Sequence, residues 1–414
     1  MGTESLRYEL VQAKTLLSKR MDGDSWFHSN HSMNIYRGCQ FACAYYDGMS
    51  EYYHIDNYTN HIRVKENAPE LLLKELKKLG YIQKPKSLLD YTDSASVDPR
   101  KPIIGVSGGV LDSYQQAEKE YEVTRKVLEV LRDHSLPVLL LTKSNLVLRD
   151  IDLLKEINER AHANVNFSIA FAEEDVKQRF EPNSPSIQER LDALKTLRNA
   201  GIHGGVMGLP VIPHVADSID SLRELVHSVK AAKSEFLLLG GMTLKPGRQK
   251  QHFFNVLRRH FPDQTQKLRD MYSNNNRYGQ PRNQGAVNPF LLGPILCEEQ
   301  DLSWLSTRHS STGEYPSNSR LLRALLETVF IKSTLLREPK VKWAPYHSFA
   351  VKVEQGLPCV DELFDSPELF EKYNIPAPLI PELKNMTYKG TSPELIELKR
   401  RVLTQSQRIL ETLS

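Results

Sequence analysis

Cysteine is scarce in this chain: 414 residues contain four, Cys39, Cys43, Cys297 and Cys359. That is too sparse for a secreted disulfide scaffold, so reduced thiols and metal binding are the chemistry to look for. Long apolar runs are missing as well. The longest, such as Pro137 to Leu141 and Phe236 to Leu239, fall far short of the about 20 residues that cross a bilayer, which excludes a helical span. The start, MGTESL, has Glu4 and Arg7 close by, no apolar signal core, and Leu6 where a myristoylation pattern would be broken. A cytoplasmic protein with no membrane partner is expected. Nor is there a surplus of one charge sign: the net charge of +3 implies no polyanionic partner over the whole surface and leaves only local basic patches to consider.

With 40% hydrophobic and 25% charged residues the composition is that of an ordinary globular protein, which excludes a wholly disordered chain. Between residues 33 and 245 short aliphatic runs alternate with stretches of helical period, the mark of βα units. The strands are expected at Met33 to Tyr36, Ile103 to Ser107, Val138 to Thr142, Val165 to Phe171, Gly204 to Leu209 and Glu235 to Leu244. Their mostly apolar character, without alternation, predicts a sheet covered on both faces. Helices are expected at Glu70 to Leu79, Gln115 to His134, Leu153 to Ala161, Ser186 to Ala200 and Ser218 to Ala232. Pro185 and Ser186 make a start signal, Gly201 a stop signal, and Asp217 or Ser218 a further cap.

The domain plan that follows is an N-terminal extension over 1–30, an α/β domain over 31–275, a loop or lid over 276–317 and a helical extension over 318–414. The loop assignment rests on the zone from about 272 to 317, which is rich in Asn, Gln, Gly, Pro and Ser and shows no sustained period. In the last part, helical patterns run over Ser319 to Leu336, around Ser366 to Tyr373, and over Ser392 to Leu413.

Directly after the first strand stands Arg37-Gly38-Cys39-Gln40-Phe41-Ala42-Cys43-Ala44-Tyr45-Tyr46-Asp47-Gly48. Two thiolates at this spacing in a loop can reach one metal centre. A four-iron four-sulfur cluster needs a ligand on each iron, so three cysteines in a tight loop leave one iron open to chelate a small molecule. His28 and His31 with the same cysteines give H-x2-H-x7-C-x3-C, an unusual spacing for a tetrahedral zinc site; a zinc-stabilised structural module is therefore a separate reading. Gly108-Gly109 lacks the dinucleotide and P-loop patterns and is better read as a turn or a close approach to a cofactor. Tyr45, Tyr46, Tyr52, Tyr53 and Tyr58 would pack a long loop or stack nucleobases. The basic stretch Lys245 to Arg259, with Arg277 and Arg282, suits either solubility or a phosphate backbone, hence a nucleic acid.

Further segments follow in order: Gly105-Val106-Ser107-Gly108-Gly109-Val110-Leu111-Asp112-Ser113-Tyr114-Gln115 with Glu118, then Tyr121 to Arg125, Thr142-Lys143-Ser144, Arg149-Asp150, Arg179-Phe180-Glu181-Pro182 and Glu189-Arg190-Leu191. Together with the cysteine loop they resemble the radical S-adenosylmethionine (SAM) superfamily, in its spore photoproduct lyase-like branch, over roughly residues 31 to 275. The resemblance implies a partial TIM-like (β/α)6 barrel with its site at the C-terminal strand ends. It also implies Cys39 and Cys43 on a 4Fe-4S cluster, and SAM contacts from Ser107, Gly108, Gly109, Lys143 and Ser168, with Lys143 facing the SAM carboxylate. An external electron donor and a 5′-deoxyadenosyl radical would follow, in a lyase-like reaction on an unknown substrate.

Where the family spacing C-x3-C-x2-C has its third cysteine, this chain has Tyr46. A phenol is a harder ligand than thiolate and is ordinarily protonated near neutral pH. The family's spore photoproduct lyase also uses a cysteine hydrogen donor near the second strand, and no cysteine lies between Cys43 and Cys297. The alternative to a radical enzyme is thus a pseudoenzyme that keeps the fold and binds SAM or nucleic acid.

Overall fold

Aliphatic runs such as Val138-Leu-Leu-Leu-Thr142 bury side chains on both faces, and only a sheet covered on each side accommodates them. In the computed structural model, which describes residues 6–82, 101–107, 111–281, 288–310, 313–357, 359–366 and 368–413, ten strands are present among the described residues. They are β1 (Arg7–Val11), β2 (Leu17–Lys19), β3 (His31–Met33), β4 (Tyr36–Arg37), β5 (His61–Lys65), β6 (Ile104–Gly105), β7 (Val138–Thr142), β8 (Ala163–Ser168), β9 (Val206–Val211) and β10 (Leu237–Gly241). Seven form one sheet in the order β10-β9-β8-β7-β6-β3-β2. Within it β3 and β6 to β10 are all parallel, and β2 adds antiparallel at the edge. This is the expected partial (β/α)6 barrel with a helical C-terminal region.

The connecting helices Val123–Asp133, Ile151–Arg160, Ile187–Asn199 and Ile219–Ala231 each bury one stripe on the sheet. Val127, Leu128 and Leu131, or Leu222, Leu225, Val226 and Val229, recur at the three- and four-residue spacing that places side chains on one helix face. Ser186 accepts from the Glu189 amide while the Glu189 carboxylate accepts from that of Ser186, a full capping box at the expected start.

Several expectations are revised. Met33 to Tyr36 is not one strand: β3 pairs with β6, whereas β4 pairs with β5 in a second, three-stranded sheet β1-β5-β4. The switch falls at Ile35, whose carbonyl accepts from the Lys65 amide. The single helix expected over Gln115 to His134 is broken at Glu122, which is left-handed at φ 52°. The break has a cause in the buried Glu118, whose carboxylate turns in to accept from the Thr124 amide at 2.9 Å and so caps the second segment.

Within the expected loop or lid, Pro289–Glu298 is a helix. It buries Leu291, Leu292, Leu296 and Cys297 and packs on β10 and on the last helix, Pro393–Leu413. Because it is apolar on all sides it shows no 3.6-residue period, which is why pattern reading missed it. Gly240 permits the approach, since a Cβ there would lie 2.8 Å from the Phe290 ring. The helices Lys340–Glu354 and Ile380–Lys389, also missed, complete the helical region with Pro316–Phe330.

Replacing the fully buried Leu292 by Ala should destabilise the protein by about 2–5 kcal/mol in denaturant unfolding, the cost of a core cavity. A loss below about 0.5 kcal/mol, typical of surface positions, would show that residues 289–298 are not part of the core.

Candidate cofactor site at the barrel mouth

The cysteine loop leaves β4 through Gly38, at φ +89°, where a Cβ would meet the Tyr58 carbonyl oxygen at 2.7 Å. That same carbonyl accepts from the Cys39 amide at 2.9 Å, so glycine and cysteine are held together by one backbone contact. Gln115 clamps the loop, accepting from the Gln40 amide and donating to the Gly38 carbonyl, each at 3.1 Å. Asn183, Phe180 and Gln249 reach it through the Gln40 carbonyl, the Ala44 amide and the Tyr45 carbonyl. A loop of irregular backbone is thereby made rigid by groups from three other segments.

Beside it a cavity of about 880 Å³ opens at the C-terminal ends of the parallel strands. Ser107, Thr142, Lys143, Ser168 and Asp112 contribute its polar wall, and Trp26, Met207, Leu209 and Phe290 supply apolar surface. Of the residues expected to contact SAM, Ser107, Lys143 and Ser168 thus come together on one wall, while Gly108 and Gly109 lie outside the described residues. Tyr45 and Tyr46 also line the cavity; neither Cys39 nor Cys43 does, each being 1% exposed.

Lys143 already holds a partner in the protein. Its ammonium lies 2.9 Å from Glu181 Oε1 and donates to Ser168 Oγ at 2.7 Å and to the Tyr45 hydroxyl at 3.1 Å. The other oxygen of Glu181 receives Arg190 at 2.5 Å, and Tyr45 donates to the carboxylate as well. Burial alone would push Glu181 up; Arg190 and then Lys143 outweigh it and hold the carboxyl well below the usual range. Asp112 behaves differently: burial dominates and raises it, against donors from the Lys143 amide, the Tyr114 amide and the Thr142 hydroxyl. Glu181, Arg190 and Asp112 had appeared in the sequence only as matched letters without a role. Glu181 and Arg190 are nine positions apart across a helix boundary, a separation no period links.

Residues 33–227 match the family model for the radical SAM superfamily. That stretch is a radical SAM superfamily domain. The chain is 26% identical over 274 residues to an uncharacterised protein of Mycobacterium bovis, covering 65% of this chain and 74% of the relative. It is 29% identical over 238 residues to an uncharacterised protein of Methanocaldococcus jannaschii, covering 57% and 78%. Among solved structures it is similar to spore photoproduct lyase at TM-score 0.44 and 16% identity, over 62% of this chain and 66% of that one.

Membership implies SAM and a 4Fe-4S cluster in general, and the donor set tests whether this loop fits the cluster. It does not fit one held by three thiolates. Burial raises the Cys39 thiol to about 12 and lifts Cys43 further, with the charge of Asp112 adding at Cys39 and that of Lys143 opposing at Cys43. Burial, then Cys39 and Asp112, hold the Tyr46 phenol well above its ordinary 10.0. The remaining cysteines are elsewhere: Cys297 faces the Leu237 carbonyl at the start of β10, and Cys359 faces Ser317 and Asp361 in the helical region.

The zinc set H-x2-H-x7-C-x3-C does not assemble either. His28 Nε2 lies 3.1 Å from Ser306 Oγ and His31 Nε2 lies 2.9 Å from the Tyr81 hydroxyl, and these four residues form no ligand group among the described residues. In the basic stretch, Lys245 is paired with Asp47 at 2.7 Å, Arg248 with Glu51 at 3.6 Å, and Lys250 donates to the Tyr272 carbonyl at 2.6 Å. Those cations serve the protein itself. No helix among the described residues is long and apolar enough to cross a membrane.

Because the folded Glu181 carboxyl is depressed, its stabilisation is fully present above the ordinary value of 4.5 and is lost as pH falls below it. Glu181→Gln strands two buried cations and should cost about 3–5 kcal/mol near neutral pH. Urea unfolding at several pH values should show that deficit shrinking as wild type is acidified below 4.5; a deficit independent of pH would contradict the ionised pair.

Proposed function

We propose that this radical SAM chain binds SAM, or a ligand of the same nucleoside and amino-acid chemistry, in the barrel-mouth cavity without generating a radical from it. The observation that carries the reading is Tyr46, which lines the cavity at the third ligand position of the family spacing while both motif thiols are buried and line no part of it. The cavity volume of about 880 Å³ lies within the about 300–1,000 Å³ of small-molecule sites. Its walls combine apolar surface with a few polar groups from the tips of adjacent strands, the composition that orients a ligand with both an aromatic base and charged ends.

The chain's own residues would do the binding. Ser107, Ser168 and Thr142 offer hydroxyls, and Asp112 offers a carboxyl group. Lys143 is held in place by Glu181, Ser168 and Tyr45, which take its three donors, so it meets a ligand as a fixed positive charge without a search over rotamers. In this arrangement the family's cleavage reaction, its external electron donor and its lyase activity are not required. A nucleic-acid partner has less support, because the leading cations of the basic stretch are engaged internally.

Equilibrium dialysis of the full chain with labelled SAM should show saturable binding, weakened at least tenfold by Ser168→Trp, which fills the cavity wall. After anaerobic reconstitution the wild type should hold well under the about four irons of a full cluster and release no 5′-deoxyadenosine. The Tyr46→Cys variant should gain iron and acid-labile sulfide. A full cluster and SAM cleavage in the wild type would overturn the proposal, as would failure to bind SAM.

A further inference from the structure

The opposite end of the barrel, where the parallel strands begin, gathers a second set of side chains. His162 immediately precedes β8, and His203, ahead of β9, is bridged in register to Asn164. His309 comes from the segment that follows Ser303, which runs parallel to Phe236 at the start of β10. The ring centroids are 4.2 Å apart for His162 and His309, 4.8 Å for His162 and His203, and 4.0 Å for His203 and His309. One ligand nitrogen from each lies within 4.8 Å of the other two, the one such group of metal-ligating side chains among the described residues.

Two further observations point to a ligand. First, Glu235 lies beneath the rings: one oxygen is 2.8 Å from His203 Nδ1 and the other 3.2 Å from His309 Nε2. A carboxylate that takes one ring nitrogen directs the other outward as a lone-pair donor, the arrangement that supports metal-bound imidazoles. This leaves His203 Nε2 and His309 Nδ1 free of Glu235. Arg198, at 2.8 Å, holds the same carboxylate from the far side.

Second, His162 Nε2 is buried with no hydrogen-bond partner, in a side chain that is only 6% exposed. A buried, unsatisfied nitrogen is costly, and ring stacking leaves that cost in place because it satisfies only the ring face.

We infer that His162, His203 and His309 form a binding site for a zinc-class divalent cation, with Glu235 orienting two of the rings and solvent available for the fourth position. Three imidazoles and a supporting carboxylate match the nitrogen-rich donor set such an ion prefers. Its role would be structural. By joining the starts of β8 and β9 to residue 309, the ion would bolt the chain that leads into the helical region onto the barrel floor. This inference is independent of what the mouth binds.

The test uses untagged full-length protein, stripped with chelator, exposed to zinc and dialysed before metal analysis. About one zinc per chain is expected, retained in Cys39→Ser/Cys43→Ser and reduced at least tenfold in His203→Gln/His309→Gln. Cobalt in place of zinc should give tetrahedral bands without thiolate charge transfer. Should the histidine variant lose its circular dichroism signature, Glu235→Gln decides instead, with zinc affinity expected to fall about 10–100-fold. Absence of zinc from the wild type overturns the inference, as does zinc lost with the cysteines and kept in the folded histidine or Glu235 variant.

Discussion

The ionised Glu181 carboxylate, fully buried between Lys143 and Arg190, is the interaction on which the barrel mouth depends. Through it the end of β7, the carbonyl of Ser168 at the end of β8, the start of helix Ile187–Asn199 and the ring of Tyr45 become one unit. A carboxylate removed from water is costly by itself and is tolerated here because each oxygen has a cation and further donors. The cysteine loop inherits its position from this cluster, since Tyr45 belongs to both.

The two ends of the barrel solve different problems. At the mouth, thiols that the family spacing would aim at iron are buried and absent from the cavity lining, and the polar groups facing the cavity come from strand tips. At the floor, imidazoles from three separate segments converge where backbone pairing brings Asn164 beside His203 and Phe236 beside Ser303. Parallel strands make both possible, because all their C-terminal ends open on one side and all their starts on the other.

The parts of this architecture that were legible carried a period or a local signal. Val138 to Thr142 and the stripe Val127, Leu128 and Leu131 state their own element. The alternation in His61–Lys65, with Ile62 and Val64 inward, was present but too short to separate from loop, and it becomes a strand only by pairing with β1. Helix Pro289–Glu298 lacked any amphipathic pattern because all its sides are covered. Glu118 stood in the sequence as one letter of a matched segment, without a role; it is fully buried, receives Tyr36 and Arg149, and caps the helix that begins at Val123.

By itself the sequence determined the order of βα units, the covered sheet, the position of the cysteine loop and the presence of Tyr46 in it, because these depend on composition and spacing within short windows. Only the tertiary structure decided that Glu181 is shared by Lys143 and Arg190, that Cys297 and Cys359 have their contacts away from the loop, and that His162, His203 and His309 meet. The physical reason is that each of these is a long-range contact set by strand register and helix packing, to which residues distant along the chain contribute through space.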